Sequence, residues 1–155
     1  MNIQRKEKGF TIIEVVLVLA IAGLIFLMVF IALPALQRNQ RDTARKSDVT
    51  IVAAAVTSFS SNNRGAFPDA GQIRAYATNV SDNSRTPAGV DANIRVNTFS
   101  TTPLTPVDTE IVVTKGATCG AATTDNVVLV KGSARQFTVV TKLESGGGQV
   151  FCQES

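Results

Sequence analysis

Lys8-Gly9-Phe10-Thr11-Ile12-Ile13-Glu14 runs directly into residues 15–36, which form 22 positions without a charge. A bilayer hydrocarbon core of roughly 30 Å takes about 20 residues of α-helix, so the run is long enough to span it. Only Gly23 and Pro34 interrupt a composition dominated by Val, Ile and Leu. Glu14 does not fit a plain anchor, because a carboxylate in a membrane helix is costly and is usually retained where it meets a partner. It lies four residues beyond Phe10, about 6 Å along a helix axis, and so near the entry side of the span. A carboxylate resting at headgroup level is the alternative. The segment itself offers no cation between Lys8 and Arg38.

This basic head, glycine, aromatic residue and acid-bearing apolar helix resembles the leader junction of type IV prepilins and the related pseudopilins. The resemblance implies that a prepilin peptidase cuts between Gly9 and Phe10 and that Phe10 becomes the N-methylated first residue. It also implies that Glu14 pairs with the terminal ammonium of a neighbouring subunit. The cut then makes the missing cation, and before it Glu14 would be an unpaired charge in apolar surroundings. The implied fold is α+β and pilin-like, with a long N-terminal helix packed against a C-terminal antiparallel sheet. The implied division is a leader (1–9), a transmembrane and filament-core helix (10–36) and a globular domain (37–155). Gly23 stands where many pilins carry a helix-loosening glycine. Pro34 stands about three residues later than the proline many of them use, and proline kinks a helix in any case. A bend over residues 31–34 is the expectation.

Composition limits the remainder. The 155 residues suit one small domain on an apolar stalk. Arg5, Lys6, Lys8 and Glu7 contribute +2 of the formal +3, so a cut chain would carry about +1 and the basic balance makes no case for DNA binding. An ordinary secretory signal is the competing reading, with cleavage after Ala32 or Ala35. The apolar run is longer than such a signal uses, and Phe30 or Leu33 would occupy a position that should be small. Charge does not orient the span, because Arg38, Arg41, Arg45 and Lys46 follow it as Arg5, Lys6 and Lys8 precede it.

Beyond Pro34 the pattern predicts an amphipathic helix over 37–59. Val49, Val52, Val56 and Phe59 recur along a face that should pack on a sheet. Arg38, Arg41 and Arg45 form a stripe that would meet headgroups, neighbouring subunits or solvent. The polar stretch from Ser60 to Gly65 should end the helix. From Phe10 to Phe59 the helix would be about 75 Å long. That is more than a domain of this size can bury, so lipid or other chains must cover its first half.

Residues 60–106 read as loops, with a short helix over 72–77 and an edge strand over 94–99. Pro103-Leu104-Thr105-Pro106 is a turn entering a strand rather than a proline-rich ligand. Asn79-Val80-Ser81 is a glycosylation sequon of the kind that arises often by chance. Residues 107–155 should form an antiparallel sheet with strands at 110–114, 127–130, 135–143 and 149–152. The run Gly146-Gly147-Gly148 should join a hairpin.

Cys119 and Cys152 are the only cysteines. They lack CxxC spacing, and the chain has no histidine, which leaves a metal site or thiol catalysis without support. In an exported domain the expectation is a disulfide, and the resemblance to pilins with a disulfide-bounded C-terminal region points the same way. No catalytic constellation and no cofactor site is expected. The resemblance implies a homo-oligomeric helical filament with three kinds of partner: the prepilin peptidase, an inner-membrane platform and an assembly ATPase. The precursor would cross the cytoplasmic membrane once before becoming part of a pilus on a bacterial surface. Adhesion, twitching motility and DNA uptake remain open as uses of the fibre. A type II secretion pseudopilin and a membrane-anchored binding module that never polymerises are the alternatives.

Overall fold

The computed structural model describes residues 9–80, 93–108 and 110–155. The chain divides into two compact units, one up to Gln37 and one from Arg38 onward. Helix α1 (Ile12–Asn62) contributes residues to both. In the first unit the helix is apolar on every side, and its large side chains, from Val15 through Leu36, are exposed. It therefore has no polar face to turn to water and no apolar face turned to a core, the pattern of a segment made for an apolar surrounding. Helix assignment runs without a break through Gly23 and Pro34. Pro34 has no N–H to give the Phe30 carbonyl, so one rung of the ladder is missing there.

In the second unit α1 buries Val49, Val52, Ala55, Val56 and Phe59, spaced by three and four residues along one face. The helix ends in a Schellman-type closure. The Gly65 N–H donates to the Ser60 carbonyl at 2.8 Å, with Arg64 at φ 55° and Gly65 at φ 83°. Helix α2 (Ala70–Val80) begins with a reciprocal cap: the Gln72 N–H donates to Asp69 Oδ1 at 2.8 Å, and the Asp69 N–H to Gln72 Oε1 at 2.9 Å. It buries Ile73 and Ala77 in the same core as α1.

A four-stranded sheet lies under these helices in the order β1 (Asn93–Thr98), β2 (Glu110–Lys115), β5 (Phe137–Lys142), β6 (Val150–Glu154). Strand β1 is an edge strand, as the sequence predicts, but it pairs parallel to β2. The other two pairs are antiparallel. The sheet expected over residues 107–155 is antiparallel, and β1 adds one parallel pair at its edge. Strands β3 (Ala117–Ala122) and β4 (Val127–Lys131) form a separate antiparallel hairpin.

The central strands β2 and β5 are buried on both faces and read as near-continuous apolar runs. Ile111, Val113, Phe137 and Val139 meet the helices. Val140 joins Ala117, Val127, Leu129 and Val150 in a second core beneath the hairpin. Strand β3 was not foreseen, because Ala-Thr-Cys-Gly-Ala-Ala has neither alternation nor bulky β-formers. Gly120 makes it possible, since a Cβ there would stand 2.3 Å from the Val128 carbonyl oxygen. Leu104 exchanges a pair of hydrogen bonds with Val127, both 2.9 Å, so the Pro103–Pro106 stretch is pinned as an isolated bridge. Pro87, Gly89 and the Ser81 end of the sequon lie outside the described residues, as does the leader before Gly9.

Candidate functional site

Helix α1 opens with Thr11 as its cap. The Thr11 backbone N–H donates to Glu14 Oε2 at 2.9 Å, and the Thr11 hydroxyl donates to the same oxygen at 2.7 Å. In return the Glu14 N–H donates to Thr11 Oγ1 at 3.4 Å. This is the reciprocal capping box of a T-x-x-E sequence: the Glu14 carboxylate takes the Thr11 N–H, and the Thr11 hydroxyl oxygen takes the Glu14 N–H. The signal stands in the sequence at Thr11-Ile12-Ile13-Glu14, yet reading Glu14 only as a membrane charge passes over Thr11.

Glu14 borders a shallow apolar depression with Phe10, Val15, Val18 and Leu19. The Phe10 ring, 90% exposed, precedes the helix and meets no core. The depression therefore combines one acid, half engaged through Oε2, with an apolar rim.

Gly23 lies in the helix with no atom within 4 Å of where a Cβ would stand. Nothing among the described residues requires a glycine there. The structure brings neither Gly23 nor Pro34 to the Thr11–Glu14 cap, and Cys119 and Cys152 lie in the other unit. These two cysteines form a disulfide between β3 and β6, with Cα atoms 6.1 Å apart. The bond ties the hairpin to the last strand of the main sheet. Among the described residues no three His, Cys, Asp or Glu side chains come together as a metal site.

Asp42 follows Arg41 in a charged stretch of helix, and nothing in the sequence marks its role. The side chain is buried, and its two oxygens accept the N–H groups of Glu144 at 2.7 Å and Ser145 at 2.9 Å. It thus caps the 3-10 turn Ser145–Gly147 that joins β5 to β6. Burial pushes the carboxyl up, but the Ser145 hydroxyl, the two N–H groups and the Arg45 guanidinium outweigh it and hold the group below the usual carboxylate range. Arg45 closes the junction by donating to the Lys142 carbonyl and by pairing with Glu144 at 2.8 Å.

Residues 4–30 match the family model of the prokaryotic N-terminal methylation motif. The chain carries a prepilin-type leader and helix. This motif is the class III leader of type IV pilins and pseudopilins, and it spans the Gly9–Phe10 junction, Glu14 and Gly23. No curated protein and no solved structure matches the chain. The motif supports a type IV pilin or pseudopilin type, and the exposed apolar helix and the α+β domain fit such an arrangement. The prepilin motif points to a structural subunit and fits a membrane-anchored precursor.

Proposed function

We propose that the chain is a pilin, the structural subunit of a type IV pilus filament on a bacterial cell surface. In this reading a prepilin peptidase hydrolyses the Gly9–Phe10 bond, and Phe10 carries the new amino terminus and its methyl group. An inner-membrane platform and an ATPase then move the helix from lipid into a fibre core. The observation that carries the proposal is a stretch of helix, residues 12–36, that is apolar on every side and whose one acid, Glu14, lies four residues after Phe10.

Hydrolysis releases an ammonium at Phe10 beside an acid that has only its own helix cap for company. In the fibre, Glu14 of one subunit meets the Phe10 ammonium of the next, which sets axial register. Because the helix passes from one apolar surrounding to another, the hydrophobic effect gives little direction to the step, and the ATPase supplies it. Gly23, with open space around it, and Pro34, with its missing rung, are the points at which the helix would yield during packing.

The test is intact mass and N-terminal peptide analysis of sheared surface material. A chain beginning at N-methylated Phe10 with both cysteines oxidised supports the reading. A chain that keeps residues 1–9, or begins after Ala32 or Ala35, removes it. The motif is shared with pseudopilins, so the same processed chain found only in the membrane fraction would favour a secretion pseudopilin. Glu14→Ala should lower filament yield at least tenfold while membrane insertion and the domain fold persist. Normal filament yield would argue against the role given to Glu14.

A further inference from the structure

Beside α1 in the second unit opens a groove of about 710 Å3, bordered by Arg38, Arg41, Arg45, Lys142, Glu144 and the Gly147-Gly148 backbone. Its cations are unequally engaged. Arg45 is largely buried and holds both Glu144 and the Lys142 carbonyl. Lys142 stands 3.2 Å from Asp125 and 3.8 Å from Asp108. Arg41 reaches Glu144 through Nε alone at 2.7 Å, and its side chain is 57% exposed. Its two terminal nitrogens have no hydrogen bond among the described residues. Arg38 has no ion pair among the described residues either. Glu144 is held by two arginines, and Lys142 is shared between Asp125 and Asp108. The guanidinium donors left without a partner among the described residues therefore sit on Arg38 and Arg41.

The position of these two residues on the helix indicates what they meet. The uncharged run ends at Leu36, and each headgroup layer extends roughly 5–7 Å beyond the hydrocarbon core. Arg38 and Arg41 follow Leu36 by two and five residues, about 3 and 7.5 Å along a helix, and Arg45 comes at about 13.5 Å. Arg38 thus falls within the headgroup layer and Arg41 at its outer edge, both within a side chain's reach of lipid phosphates, and the committed Arg45 falls beyond it.

We propose that Arg38 and Arg41, at the mouth of this groove, bind the phosphate of an anionic phospholipid in the membrane that holds the precursor. A guanidinium presents paired N–H groups at the spacing of two phosphate oxygens, which a lone ammonium does not. The bound headgroup would restrain the domain at the membrane surface until assembly. The proposal rests on the membrane-anchored reading of the precursor.

The experiment uses the full chain in detergent, titrated with phosphatidylglycerol or with phosphatidylcholine of the same acyl chains, and counts bound lipid by native mass spectrometry. Wild type should prefer phosphatidylglycerol by about tenfold or more, with about fivefold lost for each arginine removed. Arg38→Gln tests the residue that has no ion pair among the described residues. Arg38→Gln with Arg41→Gln should abolish the preference, and Arg38→Lys with Arg41→Lys should restore only part of it. An unchanged melting temperature in Arg38→Gln ties its loss to the site. Equal binding of the two lipids by wild type would overturn the proposal, as would a preference that survives the double variant. Competition by glycerol phosphate as strong as by the lipid would make this a site for free anions instead. Salt-sensitive self-association without lipid preference would give it to a carboxylate of a second copy. Failure of the chain to enter lipid nanodiscs would remove the membrane reading itself, whereas entry without headgroup preference removes only this proposal.

Discussion

Asp42 and Arg64 show how much a single side chain decides here. Asp42 is an acid held below its ordinary range in the folded state, so it stabilises the fold above the unfolded carboxylate pKa of about 3.9 and loses that contribution as pH falls towards its folded value. Asp42→Asn should cost about 1–3 kcal/mol at pH 7, because one of two half-buried N–H groups loses its acceptor. The difference from wild type should narrow below about pH 4. Unfolding curves at pH 7 and pH 3 check both statements, and a gap that widens in acid would contradict the assignment.

Arg64 occupies the left-handed position of a helix closure at φ 55°, where a side chain is strained and glycine is not. Arg64→Gly should raise stability by about 0.5–1 kcal/mol, the relief of strain being partly offset by the freedom glycine adds to the unfolded chain. Denaturant midpoints of the detergent-solubilised chain measure it. Neither effect is legible in the sequence. An Asp between arginines looks like a surface charge, and the Asn63-Arg64-Gly65 ending does not say which residue takes the positive φ.

Elements with a strong local pattern were readable, and those held by distant contacts were not. The valine face of α1, the strands β2, β4, β5 and β6 and the edge strand β1 all lie within a few residues of their expected places, because alternation or helical spacing marks each one. Helix α2 is longer than expected, since the Asp69–Gln72 cap starts it earlier than its apolar residues suggest. Strand β3 was invisible because its register depends on Gly120 lying against β4 rather than on any preference of its own. Gly120→Ala should therefore cost about 1–3 kcal/mol by forcing the hairpin apart. Amide exchange should rise in β3 and β4 first. Protection equal to wild type in the hairpin would mean that its backbone yields without loss.

The molecule as a whole answers to two solvents. The unit up to Gln37 exposes its apolar side chains and buries none of its membrane-length window, while the unit from Arg38 builds two cores on either face of one sheet. The disulfide belongs to the second unit and closes a loop of 33 residues. Cys119→Ser with Cys152→Ser should lower stability by about 3–4 kcal/mol in the chain-entropy model. The last strand should exchange amide protons earliest, because it loses its tie to the hairpin. Thermal unfolding with and without reductant checks the size, and an unchanged midpoint would show that the sheet alone secures the terminus.

The leader junction, the membrane-length helix, the single acid between Phe10 and Leu36, the α+β class and the cysteine pair were determined by the sequence alone. Each depends on residue type, length or spacing along the chain, which are local quantities. The tertiary structure decided the parallel pairing of β1 with β2, the hairpin beneath the sheet, the burial of Asp42 and the unequal engagement of Arg38, Arg41 and Arg45. All of these arise where residues separated by tens of positions meet, and burial and hydrogen-bond satisfaction at such meetings depend on the packed geometry rather than on any one segment.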